Sequence, residues 1–132
     1  MSTRFGSNTD SPLVQADFDN VASAAIDAGK SLPQMLIDVS KRFGSRPAFS
    51  NMGKTLSHAD LDRLSAQLAG YLRGELKLEA GERVAVMMPN LLQFPVAVLG
   101  ILRADLVAVL VNPMYTAREL KHQLSDSGAS VL

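Results

Sequence analysis

Apolar residues recur along this chain with two rhythms, and the change from one to the other marks out its elements. Leu32, Met35, Leu36, Val39 and Phe43 fall at i, i+3, i+4, i+7 and i+11, one apolar face of a helix. Ser31 offers its N-cap, Pro33 an early-turn proline and Gln34 a polar partner, and Gly44 its end. The spacing predicts a helix over 32–43. A second helical stripe, Leu61, Leu64, Leu68, Tyr71 and Leu72, follows the capping signal Ser57-His58-Ala59-Asp60 and predicts a helix over 58–73. Between them, 47–50 and 54–56 read as a small hairpin joined through Asn51-Met52-Gly53, where glycine supplies positive φ.

Past the turn Leu78-Glu79-Ala80-Gly81-Glu82 the rhythm changes. Val84 to Met88 is an unbroken apolar run stopped by Pro89, and Leu106 to Val111 is another stopped by Asn112-Pro113. Neither alternates with polar residues, so both read as strands, near 83–88 and 106–111, buried on two faces of a parallel sheet. The stretch 91–104 suits the crossover helix between them, and such crossovers are right-handed. Thr116-Ala117-Arg118-Glu119 is a capping box that opens a helix over 117–126, and Ala129 to Leu132 reads as the start of a third strand. The fold class is α/β: a parallel βαβαβ segment preceded by a helix, a small hairpin and a helix. Residues 1–30 show no sustained period and read as a flexible leader; 31–132 read as the domain.

Composition narrows the function classes. The 132 residues carry 13 basic and 13 acidic side chains, so no field favours a nucleic-acid partner. Cysteine is absent, which removes disulfides, thiolate metal sites and Cys nucleophiles. No charge interrupts Val84 to Leu102, long enough to cross a bilayer, but Pro89, Asn90, Gln93, Pro95 and Gly100 argue against a span. The first residues lack a secretory pattern, so no export is expected.

Candidate chemistry is sparse. A phosphate-cradling loop needs glycines between strand and helix, yet Met88-Pro89-Asn90-Leu91 and Val111-Asn112-Pro113-Met114 carry proline instead. His58 and His122 stand alone and read as a capping and a solvated residue. Asp60 and Asp62 suit a helix start, and Arg103 suits a helix end. Met87 and Met88 read as core. Tyr115 reads as a staple of the helix start onto the sheet, with a pocket-lining role as the alternative. By residue chemistry the chain offers no catalytic, cofactor-binding or metal-binding residue.

The run Glu82-Arg83-Val84-Ala85-Val86-Met87-Met88-Pro89-Asn90-Leu91-Leu92-Gln93-Phe94-Pro95-Val96-Ala97 resembles the bacterial long-chain fatty-acid:CoA ligases of the adenylate-forming superfamily. The likeness continues through Gly100 to Ala104, Val111 to Leu120 and His122 to Ala129. Upstream, Arg46-Pro47-Ala48-Phe49 and Asn51-Met52-Gly53-Lys54 fit as well. The resemblance covers about 32–132 and implies the start of an AMP-binding N-terminal domain, truncated here. For the full-length family it implies ATP, magnesium and CoA as cofactors, and fatty acid activated to an acyl-adenylate and passed to CoA. It implies a cytoplasmic protein, with peripheral contact at the inner membrane and a homodimer among the arrangements it allows. The family's phosphate loop, acyl tunnel and catalytic lysine lie downstream of these residues, so none carries over, and the chain alone is expected to be inactive. The alternatives are a retained nucleotide or acyl site at the carboxyl ends of the strands, and an interaction or dimerisation module docking through a sheet edge. Two departures stand out: Arg103-Ala104-Asp105 where the family usually has Arg-Ala-Gly, and Leu110 where relatives are often polar.

Overall fold

The computed structural model describes residues 29–132; all but the end of the expected leader, 1–28, lies outside the described residues. Three of the four helices among the described residues begin at a hydroxyl that caps them. Helix α1, Leu32–Phe43, starts at Ser31, whose side chain accepts from the Gln34 N–H. Of its apolar face Leu36 is buried, whereas Leu32 and Met35 remain 59% and 39% exposed, because no described residue covers the first turn. Gly44 keeps a right-handed conformation, φ −46°, so the helix does not end in the left-handed glycine turn its position suggests.

Strands β1, Pro47–Asn51, and β2, Lys54–Ser57, pair antiparallel, with Asn51 opposite Lys54 and Ser50 opposite Thr55. Both turn residues, Met52 and Gly53, have positive φ, 48° and 72°. The hairpin turn of type I′ requires this of both positions, so glycine meets only half of the demand and a methionine takes the other. Helix α2, His58–Gly74, opens with a capping box in which Ser57 Oγ accepts from the Asp60 N–H while the Asp60 carboxylate accepts from the Ser57 N–H. Its stripe is buried at Leu61 and Leu72; Tyr71 stays half exposed.

Strand β3, Arg83–Val86, pairs parallel with β4, Val107–Leu110. Helix α3, Gln93–Arg103, crosses between them, and α4, Ala117–Ser127, follows β4. The returning chain reaches the other side of β3: Val131 bridges Val84 in parallel, and the Ala85 N–H donates to the Val131 carbonyl at 2.8 Å. β3 is therefore flanked on both sides. Right-handed crossovers to opposite sides of one strand place α3 and α4 on opposite faces of the sheet. Leu72, Leu78, Val84, Val86, Ile101, Ala104 and Leu106 form one core between α2, α3 and the sheet, and no residue of α4 belongs to it. Ile101, 1% exposed, is its most enclosed side chain; full burial of such a residue contributes about 1.5–3 kcal/mol.

Three expectations need correcting. The first parallel strand ends at Val86, not 88, and Met87 and Met88 are half-buried residues of the following loop, with Met88 packed against the core. The second is not buried on both faces: Val107 and Leu110, which point to opposite faces of the sheet, are 44% and 55% exposed. Helix α3 begins at Gln93 rather than 91, since the chain first turns tightly, with the Leu91 N–H on the Pro89 carbonyl and the Phe94 N–H on the Leu91 carbonyl. Pro95 costs nothing at its third position, where the missing N–H would have had no helical partner.

Candidate functional site

Open parallel sheets bind ligands beyond the carboxyl ends of their strands, so the loops after β3 and β4 are the places to look. The loop after β4 folds on itself: Asn112 Oδ1 accepts from the Met114 N–H at 2.9 Å and the Asn112 carbonyl accepts from the Tyr115 N–H at 3.1 Å. Thr116 then caps α4, and the Glu119 carboxylate accepts from Thr116 N–H and Oγ1 at 2.8 and 2.7 Å. Those bonds, led by the Thr116 hydroxyl, hold the Glu119 carboxyl below its ordinary pKa. A carboxylate engaged in this way is a helix cap rather than a proton acceptor.

The loop after β3 borders an open apolar groove of about 500 Å³, walled by β1 on one side and by Leu91, Phe94, Pro95 and Leu99 on the other. Asn51 Nδ2 donates to the Asn90 carbonyl at 2.6 Å and ties the two walls together. Among the described residues no charged side chain lines this groove, whose surface is mostly apolar.

The histidines are not brought together. His58 begins α2, its carbonyl accepting from Ser40 Oγ at 2.9 Å. His122 lies on the exposed face of α4, in a shallow depression with Tyr115, Glu119, Gln123 and Asp126. Tyr115 thus lines a depression and is 37% exposed; it is not buried against the sheet. Among the described residues no group of three His, Cys, Asp or Glu side chains could hold a metal ion, so the donor set for a magnesium ion is not found here. Nor is any helix among them long and apolar enough to cross a membrane.

Sequence reasoning missed one polar cluster. Arg103 is not merely a cation at a helix end: its guanidinium donates to the Asp62 carboxylate and, at 3.3 Å, to the Asp62 carbonyl, joining the end of α3 to α2. Ser65, wholly buried, lies beside them, its Oγ 3.5 Å from Arg103 Nη1. The partners stand 41 positions apart, and each has a sufficient local explanation, so nothing in the sequence points to the pair. The cluster clamps helices; it lies away from both loops.

The described residues form an α/β segment in which β3 is flanked by parallel neighbours on both sides and helices α2 and α3 pack on the sheet. The chain belongs to the AMP-binding enzyme family, whose model matches residues 37–132. It is similar to the long-chain-fatty-acid–CoA ligase of Haemophilus influenzae, 52% identical over 100 residues, 76% of this chain and 18% of that protein. It is similar also to the Yersinia pestis ligase of the same name, 50% identical over 103 residues, 78% of this chain and 18% of that one. Among solved structures, the Klebsiella oxytoca NpsA N-terminal subdomain in complex with 3-hydroxyanthranilyl-AMSN superposes with a TM-score of 0.72 at 25% identity, covering 76% of this chain and 25% of that one. The chain spans under a fifth of the length of the curated relatives it matches.

Proposed function

We propose that these residues are the opening scaffold of a long-chain fatty-acid:CoA ligase, which uses ATP to activate a fatty acid to an acyl-adenylate and transfers the acyl group to CoA. The observation that carries the reading is the 50% identity over 103 residues to a ligase of that name. The segment's share of the work is structural: α2 and α3 hold β3 and β4 in register, while the reacting groups, magnesium and CoA are handled by other parts of the family's domain. The chain by itself performs no acyl activation. On this reading residues 31–132 are the start of the AMP-binding domain and 1–30 a leader. The protein acts in the cytoplasm, where ATP and CoA are found, with peripheral contact at the inner membrane.

The test is a graft. Residues 32–132 replace the matching stretch of the Haemophilus influenzae relative, and palmitoyl-CoA formation is measured in the folded chimera. Retained activity supports the scaffold reading; a folded chimera without activity contradicts it.

A further inference from the structure

We propose that residues 112–132 form a strap that opens from the β3–β4 pair as one unit, and that the Glu82 carboxylate is the latch that holds its end. The two attachments of β3 are unequal. β4 pairs with it at four positions, Arg83–Val107 through Val86–Leu110, whereas the returning chain bridges it at one, Val84–Val131. Two main-chain bonds make that bridge: the Ser130 N–H donates to the Arg83 carbonyl at 3.0 Å, and the Ala85 N–H to the Val131 carbonyl at 2.8 Å. Packing is unequal in the same sense. Val84, Val86 and Leu106 sit inside the core, but α4 buries no residue, and Val131, half-buried, is the one residue of the strap packed against that core. Segments with few buried apolar contacts open at the low end of a protein's range of local free energies.

The latch is a carboxylate fixed to the other strand pair. The Glu82 carbonyl accepts from the Val107 N–H at 2.9 Å, and its Oε1 accepts from the Glu79 N–H at 2.6 Å, so β4 and the turn before β3 hold the residue in place. Its Oε2 accepts from Ser130 Oγ at 3.0 Å and so grips the strap just before the bridge. A charged acceptor makes such a bond about twice as strong as a neutral one. The other acceptor near that hydroxyl, the Arg83 carbonyl, is 3.5 Å away and already takes the Ser130 N–H. From α4 itself Gln123 reaches the sheet, its Nε2 donating to the Leu110 carbonyl at 3.1 Å. Opening returns the Glu82 and Ser130 side chains to water, while the pairing of β3 with β4, which uses neither side chain, is kept.

The test is native-state hydrogen exchange of the 132-residue chain, isotopically labelled, at neutral pH. An 11-residue helix freed from the sheet is marginal in water, so the amides in the middle of α4 report opening along with those of Ser130 and Ala85. All of them should share one protection factor, about tenfold or more below that of the Val107 and Val111 amides, which bond to the Glu82 and Val86 carbonyls. Glu82→Gln and Ser130→Ala should each lower the protection of the strap about fivefold and leave Val107 and Val111 unchanged. The double variant should do no more than either single one, because both remove the same bond. Three results would overturn the proposal: strap and sheet amides exchanging at one rate, protection of Ser130 and Ala85 unchanged in both variants, or its loss while α4 stays protected. None of them bears on the ligase assignment, which the graft tests separately.

Discussion

Gly100 on α3 stands directly against Leu68 on α2: a Cβ at position 100 would lie 2.9 Å from Leu68 Cβ and 2.8 Å from its Cδ2. The two helices approach so closely because one of them has no side chain at the crossing. Gly100→Ala gains about 1 kcal/mol of helix propensity, but the forced overpacking costs about 1–3 kcal/mol, and Leu68 Cβ is fixed by its backbone. We expect a net loss of stability on the order of 1 kcal/mol. Gly70, exposed in the middle of α2, is the counterpart, since a Cβ added there would meet nothing within 4 Å. Gly70→Ala should gain about 1 kcal/mol. Urea melts of both variants check the pair, and the same sign for the two would contradict the packing argument.

Asp105 closes α3 with φ 57°. Its N–H donates to the Leu102 carbonyl, and the Leu106 N–H reaches back to the Ile101 carbonyl at 3.1 Å, the two bonds of a Schellman turn sealed by the buried Leu106 and Ile101. A residue with a Cβ loses about 1–2 kcal/mol in the left-handed conformation, less for aspartate. Its charge faces the negative end of the helix for about another 0.3–1 kcal/mol. The side chain has no described partner to offset either cost, since Arg103 is engaged by Asp62. Asp105→Gly should therefore raise stability by about 1 kcal/mol; an unchanged or lower urea midpoint would show that the aspartate serves something else.

Arg103, with 17% of its side chain exposed, and Asp62, with 35%, are intermediate between a surface pair and a buried one. Arg103→Leu leaves a half-buried carboxylate and the Ser65 hydroxyl without their partner. The expected loss is about 2 kcal/mol, below the roughly 3–5 kcal/mol of a fully buried pair because Asp62 still reaches water. A double-mutant cycle with Asp62→Asn reads the coupling, and additive effects would contradict a shared clamp.

Three carboxylates among the described residues have pKa values lowered chiefly by the hydrogen bonds they accept. The Ser57 hydroxyl, then its N–H, holds Asp60 down; Thr116 does the same for Glu119; the Glu79 N–H and the Ser130 hydroxyl do so for Glu82. A pKa depressed in the folded state gives stability that is present above the unfolded value, about pH 4, and is lost as pH falls through the folded value. Stability should be level above about pH 5 and fall on acidification, and Glu119→Gln should flatten part of that fall. Thermal melts from about pH 7 to about pH 3 check the slope; a rise in stability on acidification would contradict the sign.

Much of this fold was legible because its helices announce themselves with short-range signals. Ser31, Ser57 with Asp60, and Thr116 with Glu119 cap as their spacing implies, and α1 spans the residues its apolar period marks. Continuous apolar runs mark the parallel pair, but an apolar run does not say where pairing stops, so Met87 and Met88 read as part of a strand that they follow. What stayed hidden depends on distant partners. The Arg103–Asp62 clamp, the exposure of Val107 and Leu110, and the groove between β1 and α3 arise from three-dimensional neighbours that no local pattern encodes. A phosphate loop needs glycines at fixed spacing, and Pro89 and Pro113 stand in the two turns where they would fall.

The central claim, that these residues are scaffold rather than catalyst, is tested most directly by pyrophosphate exchange. The 132-residue chain is incubated with palmitate, ATP, magnesium and labelled pyrophosphate, and label entering ATP is counted. We predict exchange no greater than that of a heat-killed sample; exchange above that control would mean that the segment activates the acid itself and would contradict the account.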